Sequence, residues 1–258
     1  MARRRLLLVA AGGVAIGVAT VTRRGGGGHL APSALDEAPH TGPTHQPPKA
    51  TSSAKPAHTV RTEGGPPMYN VDDGLDVIAL TIDDGPSPVY TPQVLSILEK
   101  YDIKAAFSMV GENVAYYPSV AREVADAGHT IVNHTWNHAN LMSMKRSKLP
   151  GEVDRATDAI HSATGQRPGM FRAPYGAWSP VLLDYCASEN LAPLDWSVDS
   201  KDWTRPGVSK IVKTIVGTTK TGSIILDHDG GGDRSETVAA LKIAIPRLID
   251  EGYMFTVP

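Results

Sequence analysis

Two adjacent carboxylates, Asp83 and Asp84, follow an apolar run and precede Gly85 and Pro86. In a strand such neighbours point to opposite faces, but at a turn both can converge on a cation, which removes their mutual repulsion and lowers both pKa values. The competing reading is an Asx turn or helix cap, because Asp-Asp-Gly is ordinary turn chemistry. Further on, His134-Thr135-Trp136-Asn137-His138 sets two imidazoles at i and i+4, a spacing that brings both onto one face of a helical turn. Two His and one carboxylate suit zinc and leave a coordination position open for water or substrate. The chain has a single cysteine, Cys186, which excludes an internal disulfide framework and any zinc site built on paired cysteines. A metal would have to be held by His and carboxylate.

Three later segments carry similar chemistry. Phe171-Arg172-Ala173-Pro174-Tyr175-Gly176 places an arginine before a stiff turn that can present backbone N–H groups. Arg172 can hold one of the aspartates through a bidentate pair. Asp199-Ser200-Lys201-Asp202-Trp203 and Leu226-Asp227-His228-Asp229 come next, the second leading into Gly230, Gly231 and Gly232. His228 leaves an apolar run into a flexible turn, where an imidazole is accessible and can be oriented by a carboxylate such as Asp199. The glycines are not a phosphate loop, since the Gly-Lys-Ser/Thr ending is missing, and Asp233 with Glu236 reads as a helix-cap pair. Cys186, His129 and His161 receive no role, and Trp196 reads as strand packing.

These segments need a scaffold that brings them together. From residue 69 onward, β-like apolar runs (77–82, 104–110, 129–133, 169–172, 191–198, 223–227 and 253–257) alternate with helical patterns (90–101, 118–127, 150–163, 179–189, 208–219 and 235–250). Thr91-Pro92 and Ser179-Pro180 read as helix starts, and Gly128 and Gly165 as stops. Strands joined by helices predict an α/β domain with a parallel sheet of seven strands, closed into a barrel or open. In either form the site lies in the loops at the C-terminal ends of the strands, where the chemistry-bearing segments stand.

The N-terminal quarter differs in character. Residues 1–24 carry Arg3, Arg4 and Arg5, an uncharged run over 6–22, and Arg23 with Arg24, the make-up of a signal peptide or membrane anchor. As a helix that run reaches about 25 Å, near the lower limit for a hydrocarbon core of roughly 30 Å. Residues 25–68 hold 8 Pro and 7 Gly with few large apolar side chains, too little to offset ordering entropy, and read as a flexible linker. The first 68 residues contain 8 Lys+Arg against 3 Asp+Glu, leaving 17 against 24 in the body. An acidic body excludes nucleic acid as a general partner. The expected location is extracellular, secreted or tethered to the outer face of the cytoplasmic membrane.

Taken in order, Thr-x-Asp-Asp-Gly-Pro, His-Thr-x-x-His, Arg-x-Pro-Tyr, Asp-Ser-x-Asp-Trp and Leu-x-His resemble the five motifs of the polysaccharide deacetylase family, the NodB-homology group of carbohydrate esterase family 4. The resemblance covers residues 77 to the chain end; Ile82 stands where many members carry Phe. It implies a distorted (β/α) barrel catalytic domain over 69–258. It also implies a metal-dependent hydrolase that removes N-acetyl groups from N-acetylglucosamine units of peptidoglycan or chitin-like chains. By motif position, Asp83 would be the general base; Asp84, His134 and His138 would hold Zn²⁺, with Co²⁺ as the alternative; and His228 would be the general acid. Arg172 would restrain Asp83, Asp199 would hold His228 protonated, and the Tyr175 N–H would help stabilise the oxyanion. Leu226, Trp203 and Pro174 would contact substrate. The alternatives weighed against this are an O-acetyl esterase acting on xylan, a catalytically silent glycan-binding module using Trp136, Trp178 and Trp203, and a non-haem iron oxygenase, which usually needs an all-β fold.

Overall fold

In a computed structural model of the chain, the described residues are 65–71, 74 and 76–258. The expected leader and nearly all of the expected linker lie outside them. Strand β1 (Val77–Asp83) is buried along its whole length. Val77 and Ala79 pack on an inner face with Ala106, Val132 and Ile224, whereas Ile78, Leu80 and Ile82 join the larger core formed with the helices. Both faces of β1 are therefore apolar, as expected where helices cover a parallel sheet.

One sheet contains β2 (Ala106–Met109), β3 (Thr130–Asn133), β4 (Met170–Phe171) and β5 (Ala192–Pro193) in succession from one edge of β1. On the other edge come β7 (Ile224–His228) and then β6 (Val198–Asp199). The named strands pair in parallel throughout. β8 (Met254–Thr256) pairs with residues 77–79 of β1. Ala79 already meets Ile224 of β7 on one side, so β8 takes the side of β2. The path ends at β5 and β6 without joining them, which makes the sheet an open half-barrel. Bridges from Met68 to Leu194 and from Asn70 to Ser223 carry the segment before β1 across that gap, and Val71 packs into the inner core.

The helices are α1 (Thr91–Lys100), α2 (Gly111–Tyr116), α3 (Pro118–Asp126), α4 (Val153–Thr164), α5 (Pro180–Ser188), α6 (Val208–Thr218) and α7 (Ser235–Asp250). α5 starts as expected: the Ser179 side chain accepts from Leu182 N, with Pro180 at the first helical position. α4 stops at Gly165 with φ 77. Among the described residues, no helix is long and apolar enough to cross a membrane.

Three expectations need correction. The run 191–198 is not one strand but two, β5 and β6, at opposite ends of the sheet; Pro193 has no N–H to continue a ladder, and Asp195 N turns to Met68 O instead. A short helix, α2, precedes α3 in the crossover that was read as carrying one. Thr91 is not the cap of α1, whose N-cap is Tyr90 without a side-chain bond, because the Thr91 hydroxyl is engaged by Ser87 N and by Asp229.

Leu80 is buried at the sheet centre among α-helical side chains. Leu80→Ala is expected to destabilise the domain by about 2–5 kcal/mol, read as a lower urea midpoint at unchanged slope.

Candidate active site

The C-terminal ends of β1, β3, β4, β6 and β7 meet around a cleft of about 520 Å³ lined by Asp83, Asp84, His134, His138, Tyr175 and His228 among others. Asp84 lies in the left-handed region at φ 72, which swings its side chain away from the strand and toward the histidines. His134 Nε2 and His138 Nε2 lie 3.5 Å and 3.3 Å from Asp84 Oδ1. That oxygen is buried and has no hydrogen-bond partner.

The tautomer of His134 follows from its other nitrogen. Nδ1 stands 2.8 Å from the carbonyl oxygen of Arg172, which can only accept, so Nδ1 carries the proton and Nε2 presents a lone pair to Asp84. Lone pairs facing an unpartnered carboxylate oxygen repel unless a cation lies between them. Asp84, His134 and His138 place one ligand atom each within 4.8 Å of one another, a fit for a metal ion. Burial raises the Asp84 carboxyl, but when the neighbouring imidazoles are protonated their charge, His134 foremost, outweighs burial and holds the carboxyl below the usual carboxylate range. Burial lowers His138, which keeps it neutral and able to ligate.

The i, i+4 spacing of the histidines works differently from the helical turn expected for it. Residues 134–140 are not helical, and Thr135 and His138 take left-handed φ values of 66 and 61. Side-chain bonds hold this loop: Asn133 Oδ1 accepts from Thr135 N at 2.8 Å, and Glu152 Oε2 accepts from Trp136 N at 3.2 Å and Asn137 N at 3.3 Å.

Asp83 faces the same cleft from β1. Its Oδ1 accepts from Arg172 Nη1 at 2.7 Å, and its Oδ2 lies 3.7 Å from His134 Nε2. Arg172 is fully buried. It holds Asp83 by one bond rather than the bidentate pair expected, since Nη1 is shared with Thr81 Oγ1 at 2.8 Å while Nη2 donates to Asp195 O at 2.9 Å.

On the opposite side His228 is oriented by Asp202, and the expectation for Asp199 is overturned. His228 Nδ1 lies 2.7 Å from Asp202 Oδ1, and His228 N donates to Asp202 Oδ2 at 2.9 Å. Thr237 Oγ1 and Trp203 N complete the bonds to that carboxylate. Asp199 pairs instead with Lys201, whose Nζ is 2.7 Å from its Oδ2. Lys201 has φ 59, and this reversal turns Asp202 back beneath β7 while leaving Asp199 on the cleft wall. Burial opposes protonation of His228, but the bond and charge of Asp202, with Asp84 and Asp83, outweigh it and raise the imidazole to about 9.

The other expected contacts divide. Leu226 and Trp203 line the cleft; Leu226 is buried and Trp203 is 52% exposed. Tyr175, at φ 64 and 66% exposed, packs its ring edge against His138 with centroids 4.7 Å apart. Pro174 starts the turn but does not line the cleft. Trp196, read as packing, lines the floor with its ring 5.7 Å from the Arg172 guanidinium. Trp136 lies under Arg155 at 3.6 Å, and Trp178 packs on Phe171 and donates to Asp195 Oδ2, so neither is a free sugar platform. Asp233 accepts from Ser235 N as a cap residue does, but Glu236 reaches Gly207 N rather than its own helix start.

Sequence reasoning missed Asp202, Lys201, Arg234, Asp227 and Asp229. Asp202 was in plain view within Asp-Ser-Lys-Asp-Trp, where local pattern favours neither aspartate. The buried Asp227 breaks the apolar pattern of β7, and the buried Asp229 follows directly after it, a signal that was available. Burial, foremost, pushes Asp227 well above the usual range and Asp229 to about 7.

At the strand ends of the parallel half-barrel, a two-histidine, one-carboxylate cluster that could hold a metal ion therefore lies in one cleft with Asp83 and His228. The family model for polysaccharide deacetylases matches residues 70–193. A chitooligosaccharide deacetylase of Sinorhizobium fredii is 38% identical over 192 residues, 70% of this chain and 89% of that one. A peptidoglycan-N-acetylglucosamine deacetylase of Bacillus cereus is 38% identical over 189 residues, 72% and 88% of the two chains. A crystal structure of a peptidoglycan N-acetylglucosamine deacetylase superposes with a TM-score of 0.71 at 30% identity, covering 73% of this chain and 89% of that one. The chain belongs to the polysaccharide deacetylase family.

Asp202→Asn removes the main influence that raises His228, so its pKa falls. Where the protonated imidazole is required, the alkaline limb of the kcat/KM profile shifts to lower pH. Asp199→Asn leaves that limb in place.

Proposed function

We propose that the protein is a divalent-metal-dependent deacetylase that hydrolyses the N-acetyl groups of N-acetylglucosamine units in peptidoglycan or a chitin-like polymer. The observation that carries this reading is the convergence of Asp84 Oδ1, His134 Nε2 and His138 Nε2 in one cleft that Asp83 and His228 also line. The named activities of the relatives support the substrate class.

Two imidazoles and one carboxylate fit zinc, which when bound would polarise the acetamide carbonyl and acidify the attacking water. Asp83, fixed by Arg172, accepts the water proton at Oδ2, the oxygen that Arg172 leaves free. The Tyr175 N–H, in the turn beside the cleft, would help stabilise the developing oxyanion. His228, held protonated by Asp202, donates to the departing amine nitrogen as the carbon–nitrogen bond breaks, and acetate and the free amine are released. The base is thus positioned by a cation, while the acid is kept protonated by a carboxylate. Leu226 and Trp203 supply apolar surface for the acetyl methyl and the sugar face.

The polymer lies outside the cytoplasm. The Arg3 to Arg5 cluster followed by the uncharged run 6–22 supports export on a leader, either cleaved or kept as an anchor with the linker reaching from the membrane surface.

Asp83→Asn is expected to retain metal and lose about 10²–10⁴-fold in kcat, whereas His138→Ala loses metal and activity together. Acetate release from chitooligosaccharides and peptidoglycan, measured after chelation and after reloading with Zn²⁺, checks the reading. Release from acetylated xylan alone would overturn the amide substrate, and full activity in Asp83→Asn would overturn the base.

A further inference from the structure

The turn that carries Asp84 is set against a second turn with no space between them. A Cβ on Gly230 would lie 2.0 Å from Asp84 O and 2.9 Å from Gly85 N. A Cβ on Gly85 would lie 2.3 Å from Asp229 Oδ1. The two backbones therefore touch, and the Asp229 carboxylate covers the α-carbon of Gly85. Asp229 is fully buried. Its N–H donates to Asp83 O at 3.1 Å, its Oδ2 accepts a short bond from Thr91 Oγ1, and its Oδ1 has no hydrogen-bond partner. Thr91 Oγ1 in turn accepts from Ser87 N at 2.7 Å. A chain of contacts thus runs from the end of β7 through the first turn of α1 to the residues that follow Asp84. Asn113 Nδ2, donating to Asp84 O at 2.8 Å, closes the turn from the far side.

A carboxylate buried with one donor costs stability, and such costs are retained where a site depends on them. Packing alone would be served better by an apolar side chain of the same size. We propose that Asp229, anchored by Thr91, is a positioning residue for Asp84: it fixes the left-handed Asp84-Gly85 turn so that Asp84 Oδ1 meets the two imidazoles, and metal affinity depends on it. The inference rests on the reading that Asp84, His134 and His138 are the metal ligands. Outer contacts of this kind typically govern about 10–100-fold in metal affinity.

The test is Co²⁺ affinity of the purified chain, followed by visible absorbance, with far-UV circular dichroism and the thermal midpoint as checks of fold. Asp229→Ala and Thr91→Val are each expected to weaken Co²⁺ binding by about tenfold or more. The double variant should be no worse than either single one, because both cut the same chain of contacts. Asp229→Asn, which keeps an oxygen for the Thr91 hydroxyl, should bind within about threefold of the native chain. Gly85→Ala should also lose affinity, because its Cβ would drive Asp229 out of position. Native affinity in folded Asp229→Ala, with affinity lost in His138→Ala, would overturn the positioning role alone. Native affinity in both would overturn the ligand set, and the positioning role with it.

Discussion

The structure depends on one buried cation. Arg172 has no exposure to solvent, and a guanidinium in that position must be paired and hydrogen-bonded to be tolerated. Its partners come from separate parts of the half-barrel: Thr81 and Asp83 from β1, and the Asp195 carbonyl from the chain between β5 and β6. Its own carbonyl fixes the His134 tautomer. Thr81 Oγ1, while accepting from Arg172, donates to Ile225 O at 2.7 Å and so extends the network to β7. The interior of the half-barrel is therefore apolar at its N-terminal end and charged at its C-terminal end, with Arg172 marking the change. Truncating it would strand the Asp83 carboxylate as an unpaired buried charge and loosen both Asp83 and His134.

Above Arg172 the cleft is organised as two poles. One gathers the Asp83 and Asp84 carboxyls beside His134 and His138. The other is cationic, where His228 is held protonated by a carboxylate that itself receives bonds from His228 N, Trp203 N and Thr237 Oγ1. The influences on each group come from residues distant in sequence, and a pKa at either pole reports the assembly of the whole sheet rather than any single strand.

The same loops carry most of the left-handed non-glycine residues. Asp84, Thr135, His138, Tyr175 and Lys201 all have positive φ, and all belong to segments that line or build the cleft. Such conformations cost about 1–3 kcal/mol each and persist only where surrounding contacts impose them. Here the contacts are identifiable: Asn133 and Glu152 for the histidine loop, and Gly230 and Asn113 for the Asp84 turn. The scaffold thus maintains a strained set of loops that aim side chains at one point.

Much of this was legible in the sequence, for stated reasons. Apolar runs with helical patterns between them determine a parallel sheet, because a parallel strand pair needs a crossover to return the chain. Strand ends then mark the site, and Asp83, Asp84, His134, His138, Arg172 and His228 stand there as residue types with few other uses. Residue order could not choose between Asp199 and Asp202, because the choice depends on a left-handed Lys201 and on β7 lying beside β6. It could not divide 191–198 into two strands, since either half reads as strand and only pairing to different neighbours separates them. Nor could it show that two histidines at i and i+4 meet through a loop rather than a helix. Local periodicity specifies which face of an element is apolar; which distant group a polar side chain meets is decided only when the sheet has formed and the strand ends stand side by side.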